Sequence, residues 1–147
     1  MKRSLLLCLV LTLAAGCDRD MMSERGFALP EGDATAGEDA FLYMQCNQCH
    51  SIAGVELPTV PGYDPYVELG GKVTRVKTYG QLVTAIINPS HKLAAGYAEE
   101  QVSEEGGESR MYNYNRYMTV QELTDLVMFL QPHYDVVVPT FKYPIYP

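Results

Sequence analysis

Apolar residues recur with a helical period in three stretches of the chain. In the first, Gly37, Ala40, Phe41 and Met44 fall at i, i+3, i+4 and i+7, which stacks them on one face of a helix. This spacing predicts a helix over 34–48, with Asp33 or Thr35 as N-cap and a capping box between Thr35 and Glu38. In the second, Leu82, Val83, Ile86 and Ile87 make the buried face of a helix over 79–88; Thr78 and Gln81 form its capping box and Pro89 ends it. The third is the plainest. Thr119 caps, Glu122 closes the box, and Val120, Leu123, Leu126, Val127 and Leu130 carry an apolar stripe until Pro132 stops the helix.

The connecting segments carry no strong alternating strand pattern. Residues 52–77 are rich in Pro, Gly and Tyr, and an acidic loop over 99–108 holds Glu99, Glu100, Glu104, Glu105 and Glu108. After Tyr134, residues 135–139 look extended, and 140–147 are aromatic and proline-rich, expected to lie along the surface. The pattern predicts a small, mostly α domain of about three to four helices with long loops and an extended tail. Loops of that length in a small domain usually wrap something.

The first residues belong to a different kind of segment. Met1-Lys2-Arg3 is basic, the stretch from Leu5 to Leu13 is apolar, and Ala14-Ala15-Gly16 is small. These are the three parts of a secretory signal over 1–16. The apolar run is shorter than the ~20 residues that span a bilayer. Leu13-Ala14-Ala15-Gly16-Cys17 resembles a bacterial lipoprotein box, with Ala14 where that motif usually has Leu. The resemblance implies that Cys17 receives a diacylglycerol thioether and becomes the mature N-terminus; ordinary cleavage after Gly16 is the alternative. Asp18 after that cysteine would, by the same resemblance, suggest retention at the inner membrane. Residues 17–32 then read as a polar tether, 33–134 as one domain and 135–147 as a Tyr/Pro-rich tail.

Charge and cysteine count narrow the function. The net charge of −7 falls to −9 once Lys2 and Arg3 leave with the signal. Such acidity argues against nucleic acid and against electrostatic attraction to anionic lipid, and fits either a basic partner or a well-solvated surface. Of four cysteines, Cys8 lies in the signal and Cys17 at the lipid site, so the domain keeps only Cys46 and Cys49. An exported domain with two cysteines three apart is not a disulfide scaffold.

Those two cysteines stand in Cys46-Asn47-Gln48-Cys49-His50, the C-x-x-C-H signature of covalent haem attachment. Two thiols at this spacing can each add to one vinyl group on a single haem edge, and the next residue, His50, can turn its imidazole under the iron. A thioredoxin-like redox pair would want a preceding strand, and none is predicted. A zinc site would need a second pair of ligands, and the domain has no further cysteine.

With the motif placed, residues 33–134 resemble a class I c-type cytochrome: a first helix, C-x-x-C-H, a proline-rich loop, a middle helix, a methionine and a final helix. The resemblance implies a small cytochrome c-like domain around one covalently bound haem c. It also implies a close crossing of the first and last helices, with Gly37 and Phe41 matching one side and Leu126 and Phe129 the other. The distal ligand it implies is a methionine shortly before the last helix. Met111 sits among polar residues with no packing reason to be apolar, whereas Met118 stands at N′ and can staple onto Leu123, so Met111 is the first candidate and Met118 the runner-up. His91 and His133 would instead give a bis-histidine haem, though a surface histidine at a helix end explains each. The His50 imidazole would donate its second N–H to a proline carbonyl in the following loop, Pro58 ahead of Pro61. Tyr112 and Tyr114 are candidates to flank the haem or its propionates, with plain packing as the alternative.

The expected role is that of an electron carrier and not an enzyme by itself, lipid-anchored on the periplasmic side of a bacterial membrane, with no small-molecule substrate. Redox proteins are its expected partners, with basic docking faces. Two rival roles remain. A permanent haem-bearing subunit of a larger oxidoreductase would account for the tether, acidic loop and tail; a haem-based sensor would need an open sixth site.

Overall fold

A computed structural model describes residues 29–74 and 77–137. The signal over 1–16, Cys17, Asp18, most of the tether and the tail beyond Val137 lie outside the described residues.

Helix α1 spans Ala34–Tyr43. Asp33 is its N-cap: one carboxylate oxygen accepts from Thr35 N at 2.7 Å and Ala36 N at 3.0 Å. Thr35 is therefore already inside the helix, and the box expected with Glu38 does not form. The cap is itself held from below, because Asp33 N donates to Asp125 Oδ1 at 2.7 Å across the domain. The helix also ends earlier than its periodicity predicts. Met44 is the C-cap, and Gln45 turns left-handed at φ 58°, the only non-glycine residue to do so among those described. Cys46–Gln48 then forms a separate 3₁₀ turn.

From there the backbone pairs. Strand β1 (His50–Ile52) lies parallel to β2 (Val67–Leu69), with His50 opposite Val67. Strand β3 (Gly71–Val73) lies parallel to β4 (Tyr134–Val136), Gly71 opposite Tyr134. Gly70, at φ +83°, joins the two pairs; a Cβ there would come within 2.7 Å of His133 O. The domain is consequently mixed α and β and not mostly α, because three-residue strands from distant stretches find one another. Residues 134–136 belong to the body, and the same holds at the other end, where Leu29 packs on the core and Gln121 donates to Glu31 O.

The remaining helices obey their caps. Helix α2 (Tyr79–Ile87) carries the Thr78–Gln81 capping box, and a 3₁₀ turn begins at Pro89. A single turn, α3 (Glu99–Val102), emerges from the acidic stretch and buries Val102. Helix α4 (Val120–Leu130) carries the Thr119–Glu122 box and passes into a 3₁₀ turn at Gln131–His133. Of its expected stripe, Val120 stays exposed while Leu123, Leu126, Val127 and Leu130 are buried.

The core lies where α1 crosses α4. Phe41 and Phe129 meet edge-on at 5.8 Å between centroids, worth about 0.5–1.5 kcal/mol beyond the burial of each ring. Gly37 makes the approach possible: a Cβ there would sit 2.1 Å from Asp125 O and 2.7 Å from Phe129 Cβ. Leu82, Val83 and Ile86 of α2 close the other side, with Ile52 of β1 among them. Among the described residues no helix is long and apolar enough to cross a membrane.

Candidate functional site

The turn after α1 brings three reactive side chains together on five residues. Cys46 and Cys49 are free thiols, each half-buried. Burial, aided by the neighbouring Cys49 and opposed by a backbone hydrogen bond in its own turn, pushes the Cys46 thiol up to about 11. Cys46 is thus kept protonated and packed against the core. Backbone bonds brace the turn from behind: Cys49 O accepts from Tyr66 N at 3.1 Å and Val67 N at 3.0 Å.

His50 starts β1, and its parallel register opposite Val67 decides what its ring touches. Nδ1 stands 3.3 Å from Val67 O. A carbonyl only accepts, so the contact selects the tautomer protonated at Nδ1 and leaves the Nε2 lone pair free. Burial holds the imidazole below its ordinary pKa, partly offset by that carbonyl, so the ring is neutral at pH 7. The acceptor expected at this position was Pro58, and the structure places it elsewhere. Pro58 O accepts from Asn47 Nδ2 at 2.9 Å. The physical reason is the strand pair: once β1 and β2 align, the nearest carbonyl to the ring belongs to the partner strand and not to the loop between.

Asn47 is a residue the motif does not reveal. It fills one of the two variable positions, is only 5 % exposed, and clamps the Pro58 loop onto the thiol turn. Its Oδ1 has no hydrogen-bond partner among the described residues. Polarity at a variable position inside the motif was the one available signal. Tyr66 is another. Its hydroxyl is held above its ordinary value, by burial first and then by the Cys49 sulfur beside it, with Arg110 pulling the other way.

Arg110 introduces the segment that carries Met111. Its guanidinium bonds Glu104 at 3.2 Å and Glu100 O at 3.0 Å, and its N–H donates to Val102 O at 3.0 Å. Ser109 N donates to Ser90 Oγ at 3.0 Å, tying the same segment to the turn after α2. Met111 comes next, half-buried, outside the core cluster and on the wall of a cavity of about 530 Å³ that Arg110 and Tyr112 also line. That volume lies within the ~300–1,000 Å³ usual for ligand sites. Met118 behaves differently: it packs against the core that contains Leu123, as a staple would.

The two other histidines have surroundings of their own. His91 is exposed on the 3₁₀ turn after α2. His133 rests edge-on against Phe129 at 5.5 Å between ring centroids. Tyr114 does approach the turn, donating its hydroxyl to Met44 O at 2.6 Å. Two thiols and a neutral imidazole with one free nitrogen form a donor set that fits covalent attachment and ligation of a haem, while the cavity that Met111 lines includes none of these three residues. No family model matches the chain, and no curated protein or solved structure is significantly similar to it.

Proposed function

We propose that the chain is an exported, membrane-tethered monohaem c-type cytochrome that passes single electrons between redox proteins. What supports this above all is the C-x-x-C-H turn, which presents two free thiols and a neutral imidazole whose second nitrogen is already engaged by Val67 O. Among the described residues no three His, Cys, Asp or Glu side chains gather closely enough to hold a bare metal ion.

In this proposal Cys46 and Cys49 hold the haem covalently, His50 is the proximal ligand and Met111 the distal one. Bound haem would supply an iron centre able to change charge by one electron, held by His50 and Met111. The chain does the rest. Val67 O keeps the imidazole plane and tautomer fixed, so the ligand does not rotate when the charge changes. Asn47 and Pro58 hold the following loop over the turn. The Arg110–Glu104–Glu100 brace sets where Met111 stands. A thioether ligand favours the reduced state and a comparatively high potential. Cys17 would carry the lipid at the start of the tether.

The test is to express the full chain in an export host with the machinery for covalent haem attachment. A red membrane-bound protein that keeps its pigment in acid acetone is expected, and Cys46→Ala with Cys49→Ala abolishes the pigment. Met111→Ala should remove the thioether–iron absorption band while Met118→Ala retains it. Ferrous wild-type protein should not bind carbon monoxide. A colourless product would sink the proposal.

A further inference from the structure

Four tyrosines gather beside the attachment turn. Tyr114 reaches Met44 O, two residues before Cys46. Its ring meets Tyr112 edge-on at 4.8 Å between centroids, and Tyr112 stacks on Tyr117 at 6.3 Å. Tyr43, the last residue of α1, faces the same side: Tyr43, Met44, Gln45, Tyr114 and Tyr117 line a cleft of about 330 Å³. Tyr43 is 81 % exposed and Tyr117 70 %. Rings left in water to that extent contribute little to folding, whereas grouped exposed aromatics are what contact surfaces use.

Charge sets this face apart from the rest of the chain. Asp and Glu number 18 in all, yet residues 40–55 and 111–121 contain none. Arg116 and His50 are the only basic side chains in those stretches. The carboxylates that bound these stretches are Asp39, one helical turn before Tyr43, Glu56, Glu108, which lines a cavity together with Tyr112, and Glu122, whose side chain is taken up by the Thr119 cap. A surface of phenol rings and amides can be covered without stripping water from an ion.

We infer that this tyrosine face is where a redox protein docks, and that the partner's own contact surface is uncharged and rich in apolar and amide groups. The inference rests on the haem proposal, which puts the redox-active edge at Cys46. The acidic residues of 99–108 then steer a partner from the margin of the face, where Glu104 and Glu108 share a cavity with Tyr112, and the tyrosines make the contact. One electron crosses, the donor is oxidised and the acceptor reduced by one, and no proton or bond moves.

Electron self-exchange between oxidised and reduced copies of the mature protein, read by NMR line broadening, makes the chain its own probe. The double variant Tyr43→Glu, Tyr117→Glu should slow exchange about tenfold or more at low salt. Its reduction potential and visible spectrum should match wild type, and Tyr43→Phe, Tyr117→Phe should exchange at the wild-type rate. In fully oxidised protein, where no electron moves, the ring signals of Tyr43, Tyr112 and Tyr117 should shift as a small blue-copper protein with an apolar docking patch is added. Unchanged exchange in the glutamate variant would overturn the inference, as would a larger effect from Glu99→Gln, Glu105→Gln. A stable dimer, or binding of the face to phosphatidylglycerol vesicles, would also overturn it by assigning the tyrosines another occupant. A coloured wild-type protein with these failures leaves the haem proposal standing; a colourless one removes both.

Discussion

Gly37 and Cys46 show how much one atom decides in this chain. Gly37 has no room for a methyl group beneath the Asp125 carbonyl. Gly37→Ala must push α1 off α4, and overpacking of this kind costs typically 1–3 kcal/mol. Denaturant unfolding of the apo-protein should show a loss at the upper end of that range or beyond it, with the Phe41–Phe129 contact disturbed. Cys46 poses a chemical question. A thiol at about 11, against 9.0 for an unperturbed one, holds about a hundredfold less thiolate at pH 8. The thiolate is the form that reacts. Alkylation of Cys46 in folded apo-protein should therefore climb about tenfold per pH unit up to pH 11. It should become fast at pH 8 once urea removes the burial, and mass spectrometry of iodoacetamide-treated protein tracks both. Sequence alone singled out Gly37, Cys46, Cys49 and His50 because each belongs to a local pattern. Val67 and Asn47 were not legible in the same way. Val67 acts through its carbonyl, which every residue has, and the role of Asn47 depends on where Pro58 comes to lie.

Among the elements, the two helices with capping boxes were the easiest to read, since Thr78–Gln81 and Thr119–Glu122 announce their starts within four residues. Thr119→Ala should cost about 1 kcal/mol, measured by thermal or denaturant unfolding, because it frees Glu122 N and leaves the Glu122 carboxylate with one partner fewer. Thr35→Ala should cost less than that, since Asp33 and not Thr35 caps α1. The end of α1 was hidden. Periodicity runs on through Met44, and the break is made by Gln45 in a left-handed conformation that glycine would have advertised. The strands were hidden for another reason: at three residues each they are too short to alternate, and their partners lie 17 and 63 positions away, as His50 with Val67 and Gly71 with Tyr134. The single turn Glu99–Val102 was likewise lost inside a run of glutamates, where only Val102 hints at a buried face.

At the scale of the molecule, the last helix and the short strand after it close the body over the first and second helices and β3. Helix α4 covers α1, and β4 fixes β3, so the body is closed by residues 120–136. A chain stopped after His133 should keep the α1–α4 core and lose the β3 register. Amide exchange at 71–73 should then quicken to near the unprotected rate, with the core helices much less affected. These long-range closures also bear on timing. Asp33 waits for Asp125, 92 positions later, and loops of that span are slow to shut. A chain that emerges from its N-terminus therefore has its thiols in place before the core against which Cys46 packs is complete. Chemistry at Cys46 has an opening early in the life of each molecule, and the arrival of the final stretch brings it to an end.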